Sequence, residues 1–261
     1  MPVPDVAHLQ LQVDGAIARL VLARPKKRNA IDQAMWEAFP PLIEAAVADC
    51  RVRVVVVQSA SPGIFCAGAD IAEFATASGS AQWRAANQAA IRLTQTTLAR
   101  CVKPTIAAID GDCVGGGCGL ALACDLRIAS SRSRLGITPA KLGLVYSLHD
   151  TKLLVDLVGP AQAKRMLYTG QLLRADEALR IGLVDELADD PHAAVDALAA
   201  TIIAAAPSSQ QATKAIIRQI LDGAADDTPG SARIFDNAFT GSDFSEGVAA
   251  FLAKRSPRFG E

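Results

Sequence analysis

A run of four valines, residues 54–57, restricts the fold more than any other feature of this sequence. A half-buried strand alternates apolar and polar residues, whereas an unbroken β-branched run is typical of a strand buried on both faces. Helical spacing of apolar residues precedes it at 32–48, and a second helix, at 81–99, precedes a strand at 104–109. A strand at 126–129 follows a further short helix. These repeats predict an α/β fold with parallel strands joined by helices.

The two ends of the chain differ from this core. Leu9, Leu11 and Val13 alternate with polar residues, and the Asp14-Gly15 pair predicts a tight turn into a second strand at 16–22. The chain should therefore open with a β-hairpin. Beyond about residue 148, segments rich in Ala, Leu and Ile predict packed helices. They are residues 151–158, 162–168, 175–181, 193–205 and 208–221.

Composition excludes several classes of protein. With 51% hydrophobic residues among 261, the chain can bury a large core. Its 26 basic and 27 acidic residues leave a net charge of -1, which argues against nucleic acid or an anionic membrane as a partner. Apolar runs fall far short of the roughly 20 residues of a membrane span. Residues 1–5 do not resemble a secretory signal, so a cytoplasmic location is expected.

Cysteine and histidine usage argues against a metal centre. The six cysteines show no paired C-x-x-C spacing, and we expect reduced, mostly packed thiols. The three histidines form no H-x-x-x-H or H-E-x-x-H pair. The sequence therefore predicts no metal site.

A glycine-rich turn at 111–119 joins a predicted strand to a helix. Glycines allow close approach of a ligand, and the first helical turn leaves amide groups unpaired. A nucleotide loop is disfavoured, because no Lys-Ser/Thr follows and Leu122 breaks the G-x-G-x-x-G pattern. A second turn, at 63–71, can place another amide at the same rim. The two turns could form an oxyanion hole, and tight helix–sheet packing is the alternative role of the glycines.

Two segments together carry a family resemblance: F-C-A-G-A-D-I at 65–71 and V-G-G-G-C-G-L-A-L-A-C-D-L-R-I-A at 114–129. They resemble the enoyl-CoA hydratase/isomerase family, also called the crotonase superfamily, and the similarity extends from 24–31 to 251–255. The resemblance implies a crotonase-like β-β-α superhelix with a helical C-terminal region. It further implies a core domain at 1–200, a helical region at 201–261 involved in trimerisation, and a homotrimer or dimer of trimers.

The resemblance also implies a substrate and its site. The substrate would be an acyl-CoA thioester whose carbonyl oxygen accepts hydrogen bonds from the backbone NH groups of Ala69 and Gly116. No separate cofactor is expected, because CoA is part of the substrate. Residues expected to contact CoA are Lys26, Lys27, Arg28, Ala30, Ala67, Asp70 and Ile71, with Phe251 and Lys254 from the last helix, which would complete a neighbour's pocket. A solvated basic turn and a helix-capping Asp70 are the structural alternatives.

This chain departs from the family at its acid and base. Family hydratases use two glutamates, and Gly119 and Pro139 occupy those positions here. Some isomerases and dehalogenases use an aspartate where this chain has Ser147. The segment 141–148 resembles methylmalonyl-CoA decarboxylases of the superfamily, in which a tyrosine occupies the place of Tyr146, although their histidine at the first oxyanion turn is replaced by Ala69.

Three hypotheses follow. The first is an acyl-CoA lyase of the enoyl-CoA hydratase type. The second is a decarboxylase of a short β-carboxylated acyl-CoA such as methylmalonyl-CoA, with Tyr146 as a weak acid; a packed, hydrogen-bonded tyrosine is its structural alternative. The third is a CoA-thioester-binding subunit with little turnover. His149 and Asp150 are other titratable candidates, which we expect at the start of a helix, and residues 75–80 are expected to form a loop.

Overall fold

The computed structural model describes residues 8–259, so the N-terminal residues used to argue against a secretory signal lie outside the described part. The strands are β1 (Leu9–Asp14), β2 (Ile17–Leu22), β3 (Val54–Ser59), β4 (Ile64–Cys66), β5 (Thr105–Ile109), β6 (Asp112–Val114), β7 (Leu126–Ser130), β8 (Arg134–Gly136), β9 (Leu173–Arg174) and β10 (Glu186–Ala188). The helices are α1 (Gln33–Ala48), α2 (Ile71–Ala77), α3 (Ala81–Ala99), α4 (Gly116–Leu122), α5 (Leu148–Thr169), α6 (Ala175–Arg180), α7 (Pro191–Ile203), α8 (Pro207–Leu221), α9 (Pro229–Ala238) and α10 (Ser242–Leu252).

The larger sheet has six strands in the order β1-β2-β3-β5-β7-β10. Strands β1 and β2 form the predicted hairpin, closed by the pair Asp14 and Ile17. Gly15 in its turn has φ 54°, a conformation that glycine adopts without steric cost. All the other neighbours in this sheet are parallel, as the sequence predicted.

A second, four-stranded sheet has the order β4-β6-β8-β9. Each of β3, β5 and β7 in the larger sheet is followed along the chain by a strand of this smaller sheet, and one or more helices come next. This confirms the expected β-β-α superhelix. Hydrophobic periodicity predicted only one strand per helix, because β4, β6 and β8 have three residues each and are too short to show a pattern.

The valine strand is buried on both faces, as predicted. Val55 and Val57 belong to the main core, together with Trp36 and Phe39 of α1. Val54 and Val56 point the other way, into a smaller core that includes Val195 and Ala199 of α7. Alternate side chains of a strand project to opposite faces, so a strand covered by helices on both sides requires apolar residues at every position.

Two local predictions need correction. Residues 75–80 are not all loop, because α2 runs to Ala77; Asp70 caps this helix by accepting a hydrogen bond from the Ala72 amide. The two helices expected at 151–158 and 162–168 are halves of one element, α5, interrupted at Gly159 with φ 74° and ψ 164°. Pro160 follows the interruption and cannot donate a backbone hydrogen bond across it.

The C-terminal part is helical, as expected. The division at residue 200 stays a prediction, and α7 continues through that position. Five of the six cysteines are buried, Cys50 is exposed, and all are free thiols, which confirms the prediction from their spacing. Among residues 8–259, no helix has both the length and the apolar character needed to cross a bilayer.

Asn29 ties the turn after β2 to the strands behind it. It is fully buried and has φ 54°, a left-handed conformation that asparagine tolerates better than most residues. Its Nδ2 donates to Ser59 Oγ at 2.7 Å and to the Phe65 carbonyl at 3.0 Å, and its Oδ1 accepts from the Arg24 amide at 2.8 Å. The Asn29 side chain therefore links β3 and β4 to the turn at residues 24–29.

We expect Asn29→Ala to lower the free energy of unfolding by about 2 to 4 kcal/mol, because several buried polar groups lose their partner. Urea denaturation measures this change. Asn237→Ala, at an exposed position of α9, is the matched control and should change the value by less than about 0.5 kcal/mol. A similarly small effect of Asn29→Ala would contradict the assigned role.

Candidate active site

The two predicted turns meet with no side chain between them. A Cβ placed on Gly116 would lie 3.7 Å from the backbone nitrogen of Ala69, and one placed on Gly68 would lie 3.5 Å from the backbone nitrogen of Gly116. The second of these would also lie 3.0 Å from the Val114 carbonyl oxygen, and Gly68 has φ 99°. Glycine is therefore required at position 68 both for space and for conformation.

Neighbouring backbone bonds hold both amides in place. The Ile31 amide donates to the Gly68 carbonyl at 2.8 Å and the Asp70 amide donates to the Ile31 carbonyl at 3.0 Å, so Ala69 is anchored on both sides. The Gly115 amide donates to the Gly136 carbonyl at 2.8 Å, immediately before Gly116 opens α4. Within the described residues, neither the Ala69 amide nor the Gly116 amide donates a hydrogen bond. The structure thus brings together two free donors.

The space beside Gly119 is filled by polar side chains from other elements. A Cβ on Gly119 would lie 2.6 Å from Nε2 of Gln95, 2.7 Å from Oη of Tyr146 and 3.7 Å from Oδ1 of Asp150. Gln95 comes from α3, Tyr146 precedes α5 and Asp150 is in the first turn of α5. The position at which the family carries a glutamate is therefore surrounded by three other polar groups.

Tyr146 is held as a neutral phenol. Its Oη is buried, and no described residue forms a hydrogen bond with it. Burial, and to a lesser extent the nearby Asp150 carboxylate, raises the pKa of Tyr146 well above its usual value of 10.0. Tyr146 packs against the main core, as its structural alternative expected, but its hydroxyl lacks the expected partner among the described residues.

Asp150 and Gln95 are the least exposed members of this group, at 5% and 1%. Ser147 caps α5 by accepting from the Asp150 amide at 3.1 Å, and its hydroxyl donates to Asp150 Oδ2. The predicted place of Asp150 at a helix start is confirmed. Its Oδ1 and both amide atoms of Gln95 have no hydrogen-bond partner among the described residues.

Sequence analysis missed Gln95, although a signal was available. Gln95 lies on the buried stripe of α3, with Ala90, Thr94 and Leu98. A glutamine in an otherwise apolar or small-residue stripe is a buried polar group, which needs a partner. Pro139, at the second glutamate position, is half-buried and starts a short 3₁₀ helix; its side chain is not ionisable.

The predicted CoA-binding cations form an exposed turn next to the first oxyanion turn. Lys26, Lys27 and Arg28 are all exposed, and the Ala67 amide donates to the Arg28 carbonyl at 3.0 Å. Arg28 forms an ion pair with Asp112 at 2.6 Å. Lys26 has no carboxylate partner within residues 8–259. Ala30, at the end of this turn, is buried.

Asp70 has a local structural role. It caps α2, and its Oδ2 accepts from Arg24 Nη1 at 2.8 Å. Although burial raises it, the bonds from Arg24 and from the Ala72 amide hold the net pKa of Asp70 below its usual value. The capping alternative is therefore confirmed, and Ile71 beside it is 53% exposed.

The remaining predicted CoA contacts lie at the end of the chain. Phe251 is on α10 and 83% exposed. Lys254 is not on that helix, contrary to expectation, because α10 ends at Leu252 and Lys254 has φ 52°. A left-handed residue of this kind commonly terminates a helix. Within one chain, both side chains are exposed.

The burial of Tyr146 predicts a titration behaviour. Because its pKa is raised, the phenol stays protonated at a pH where an ordinary tyrosine, with a pKa of about 10, is half ionised. Wild type and Tyr146→Phe should therefore show the same rise in tyrosinate absorbance up to about pH 10 while folded. After denaturation the wild type should show additional absorbance. A difference between the folded proteins below that pH would contradict the burial of this hydroxyl.

Comparison with known proteins agrees with this geometry. A profile of the enoyl-CoA hydratase/isomerase family matches residues 12–261. The chain is 32% identical over 257 residues to the crotonyl-CoA hydratase of Syntrophomonas wolfei, covering 97% of both chains. It is 31% identical to the mitochondrial methylglutaconyl-CoA hydratase of Rattus norvegicus over 97% of this chain and 82% of that protein.

Solved structures show the same fold. An enoyl-CoA hydratase/isomerase family protein from Hyphomonas neptunium superposes with a TM-score of 0.94 at 40% identity, covering 96% of this chain and 97% of that one. An enoyl-CoA hydratase/carnithine racemase from Magnetospirillum magneticum gives 0.93 at 34% identity, covering 98% and 96%. The chain belongs to the enoyl-CoA hydratase/isomerase family.

Proposed function

We propose that this protein is an acyl-CoA lyase of the enoyl-CoA hydratase type, which stabilises a thioester enolate between the backbone amides of Ala69 and Gly116. The observation that carries the proposal is the pair of adjacent, unpartnered NH groups supplied by two separate turns. Fixed donors stabilise charge that develops on a carbonyl oxygen, and one such donor is typically worth about 3 to 4 kcal/mol. The hydratase names of the relatives support this reaction type.

Hydration fits this arrangement in the following way. Water adds through its oxygen to the β-carbon of a 2-enoyl thioester, and the double-bond electrons move onto the thioester oxygen. The two amides hold that oxygen while the negative charge is present. The enolate then takes a proton at its α-carbon, so that the net change is the addition of one water.

The basic turn supports a CoA thioester as the substrate. Lys26, Lys27 and Arg28 are exposed beside the Ala69 turn, where they could meet the phosphates. We propose that Ala30, Ala67, Asp70 and Ile71 line the pantetheine path. No separate cofactor enters this reaction.

Assembly is a further part of the proposal. Exposed apolar side chains on the last helices would be covered in a homotrimer or dimer of trimers; they include Phe235, Phe239, Phe244, Phe251 and Leu252. Phe251 and Lys254 would then reach the CoA of a neighbouring subunit. The division at residue 200, this assembly and the cytoplasmic location stay predictions.

A second candidate function is decarboxylation of a short β-carboxylated acyl-CoA. The observation that favours it is the neutral, buried hydroxyl of Tyr146 close to Gly119. Loss of carbon dioxide breaks a carbon–carbon bond and leaves its electron pair as an enolate, so no base is needed. Tyr146 could then return a proton to the α-carbon.

The distinguishing measurement is mass spectrometry of CoA thioesters after incubation with the purified protein. We expect crotonyl-CoA to gain one water, and methylmalonyl-CoA and ethylmalonyl-CoA to remain unchanged. Loss of carbon dioxide from the malonyl derivatives would replace the first function by the second. Binding of every thioester without conversion of any would favour a CoA-thioester-binding subunit with little turnover.

Gly116→Val tests the second donor. A Cβ at this position would lie 3.1 Å from Cζ2 of Trp36, which is fully buried, so we expect the larger valine side chain to displace the turn and its amide. Turnover should fall by at least about 100-fold. Gly79→Ala is the matched control, because its Cβ would meet nothing within 4 Å, and it should keep full activity. Wild-type turnover by Gly116→Val with a native circular dichroism spectrum would refute the assignment.

A further inference from the structure

The proposed hydration needs a group that accepts a proton from water, and neither family glutamate position supplies one. The residue at the first position is Gly119 and that at the second is Pro139. A neutral phenol such as Tyr146 can donate a hydrogen bond but is a poor proton acceptor. The base must therefore come from another part of the fold.

Asp150 is the carboxylate that the fold brings to this place. Its Oδ1 lies 3.7 Å from where a Cβ of residue 119 would be, which is roughly the reach of a glutamate side chain from its own Cβ. The opposite oxygen, Oδ2, is already bound by Ser147, so the carboxylate is held in one orientation. Only the oxygen near Gly119 is without a partner among the described residues.

The burial of Asp150 argues that its unpaired oxygen has a role beyond helix capping. Asp150 is 5% exposed, and a buried carboxylate oxygen without a hydrogen bond is costly. Helix capping alone does not require a buried aspartate at this position. Ser147 already accepts the hydrogen bond from the Asp150 amide, and Asp190, the aspartate that caps α7, is exposed. Gln95 and Tyr146 add unpaired donors beside the same Gly119 position. A water here would donate to Asp150 Oδ1 and accept one hydrogen bond from Gln95, which leaves its second lone pair free to attack a carbon atom.

Resting on the proposed function, we propose that Asp150 is the proton-transferring residue of this lyase, with Gln95 holding the reacting water against it. The water oxygen forms the new bond to the β-carbon as one water proton passes to Asp150 Oδ1. The double-bond electrons move to the thioester oxygen at Ala69 and Gly116. The proton on Asp150 then passes to the α-carbon as the enolate collapses, so Asp150 ends as a carboxylate.

Asp150→Asn is the principal test, because an amide keeps the size and the oxygen acceptor for Ser147 but cannot take the proton. With crotonyl-CoA, kcat should fall by about 100-fold or more. KM and the affinity for butyryl-CoA, which has no double bond to hydrate, should stay near the wild-type values, as should the unfolding temperature. Asp150→Glu should recover part of the lost rate. Asp190→Asn, at the exposed cap of α7, is the matched control and should behave as wild type.

Gln95→Leu tests the water-holding donor separately. Removing one hydrogen bond to the water should lower kcat by about tenfold, less than the loss in Asp150→Asn. Butyryl-CoA affinity reports whether the acyl pocket has been kept. An unchanged kcat with crotonyl-CoA would remove Gln95 from the proposal.

A second measurement separates this inference from the hydration itself. Butyryl-CoA has no double bond to hydrate, yet a base beside the oxyanion donors can exchange its α-hydrogens with deuterium from heavy water. We expect exchange in the wild type and in Asp190→Asn, and its loss in Asp150→Asn. If wild type exchanges butyryl-CoA but does not hydrate crotonyl-CoA, the hydratase function fails, while loss of exchange in Asp150→Asn still supports the base.

The overturning results are distinct. A wild type that hydrates crotonyl-CoA, together with an Asp150→Asn variant of equal kcat, overturns the role of Asp150 and leaves the proposed function standing. A raised KM with unchanged kcat in that variant assigns Asp150 to packing instead. A wild type that neither hydrates nor exchanges overturns the proposed function and this inference together.

Discussion

The direct contact of two backbone turns is the constraint on which the rest of the structure depends. Where β4 and β6 run side by side, glycines remove the side chains that would separate them. A Cβ on Gly117 would lie 2.5 Å from the Cβ of Cys66, and one on Gly111 would lie 1.8 Å from the Gly63 carbonyl oxygen. No rotation of a flexible side chain relieves such overlaps. The same close approach that packs the small sheet also places the amides of Ala69 and Gly116 side by side.

Around this contact, the polar groups form two sets: the cations of the exposed turn and the buried groups near Gly119. Two of the three cations of the exposed turn are already paired: Arg28 shares Asp112 with Arg134, and Lys27 Nζ lies 3.9 Å from Asp70 Oδ2. Asp112 and Asp70 are themselves buried, but each has a second cation, Arg134 or Arg24, and stays paired if Arg28 or Lys27 turns to a phosphate. The buried groups near Gly119 are different, because an unpaired polar atom there costs about 1 to 3 kcal/mol. In the proposed function, binding energy for CoA and reactivity toward its acyl group therefore come from opposite ends of the site.

Gly119 leaves no free space for the glutamate that the family carries there, so restoring it would require neighbouring side chains to move. A side chain at this position would collide with Gln95 and Tyr146, which occupy the space from α3 and from the start of α5. In the proposed mechanism, Asp150 of α5 performs the function of the missing glutamate from a position close to Gly119. On this proposal, the two backbone donors stabilise the enolate, and the side chains around Gly119 determine where its proton comes from.

Local periodicity in the sequence was enough to predict the hairpin, the doubly buried valine strand, most helices and the two glycine turns, since each depends on residues a few positions apart. The short strands β4, β6 and β8 and the helix α2 gave no comparable signal, because three to seven residues hold too little of a repeating pattern. The grouping of Gln95, Gly119 and Asp150 was decided only by the tertiary structure. These residues are far apart along the chain and belong to three helices, and their distances depend on how those helices pack.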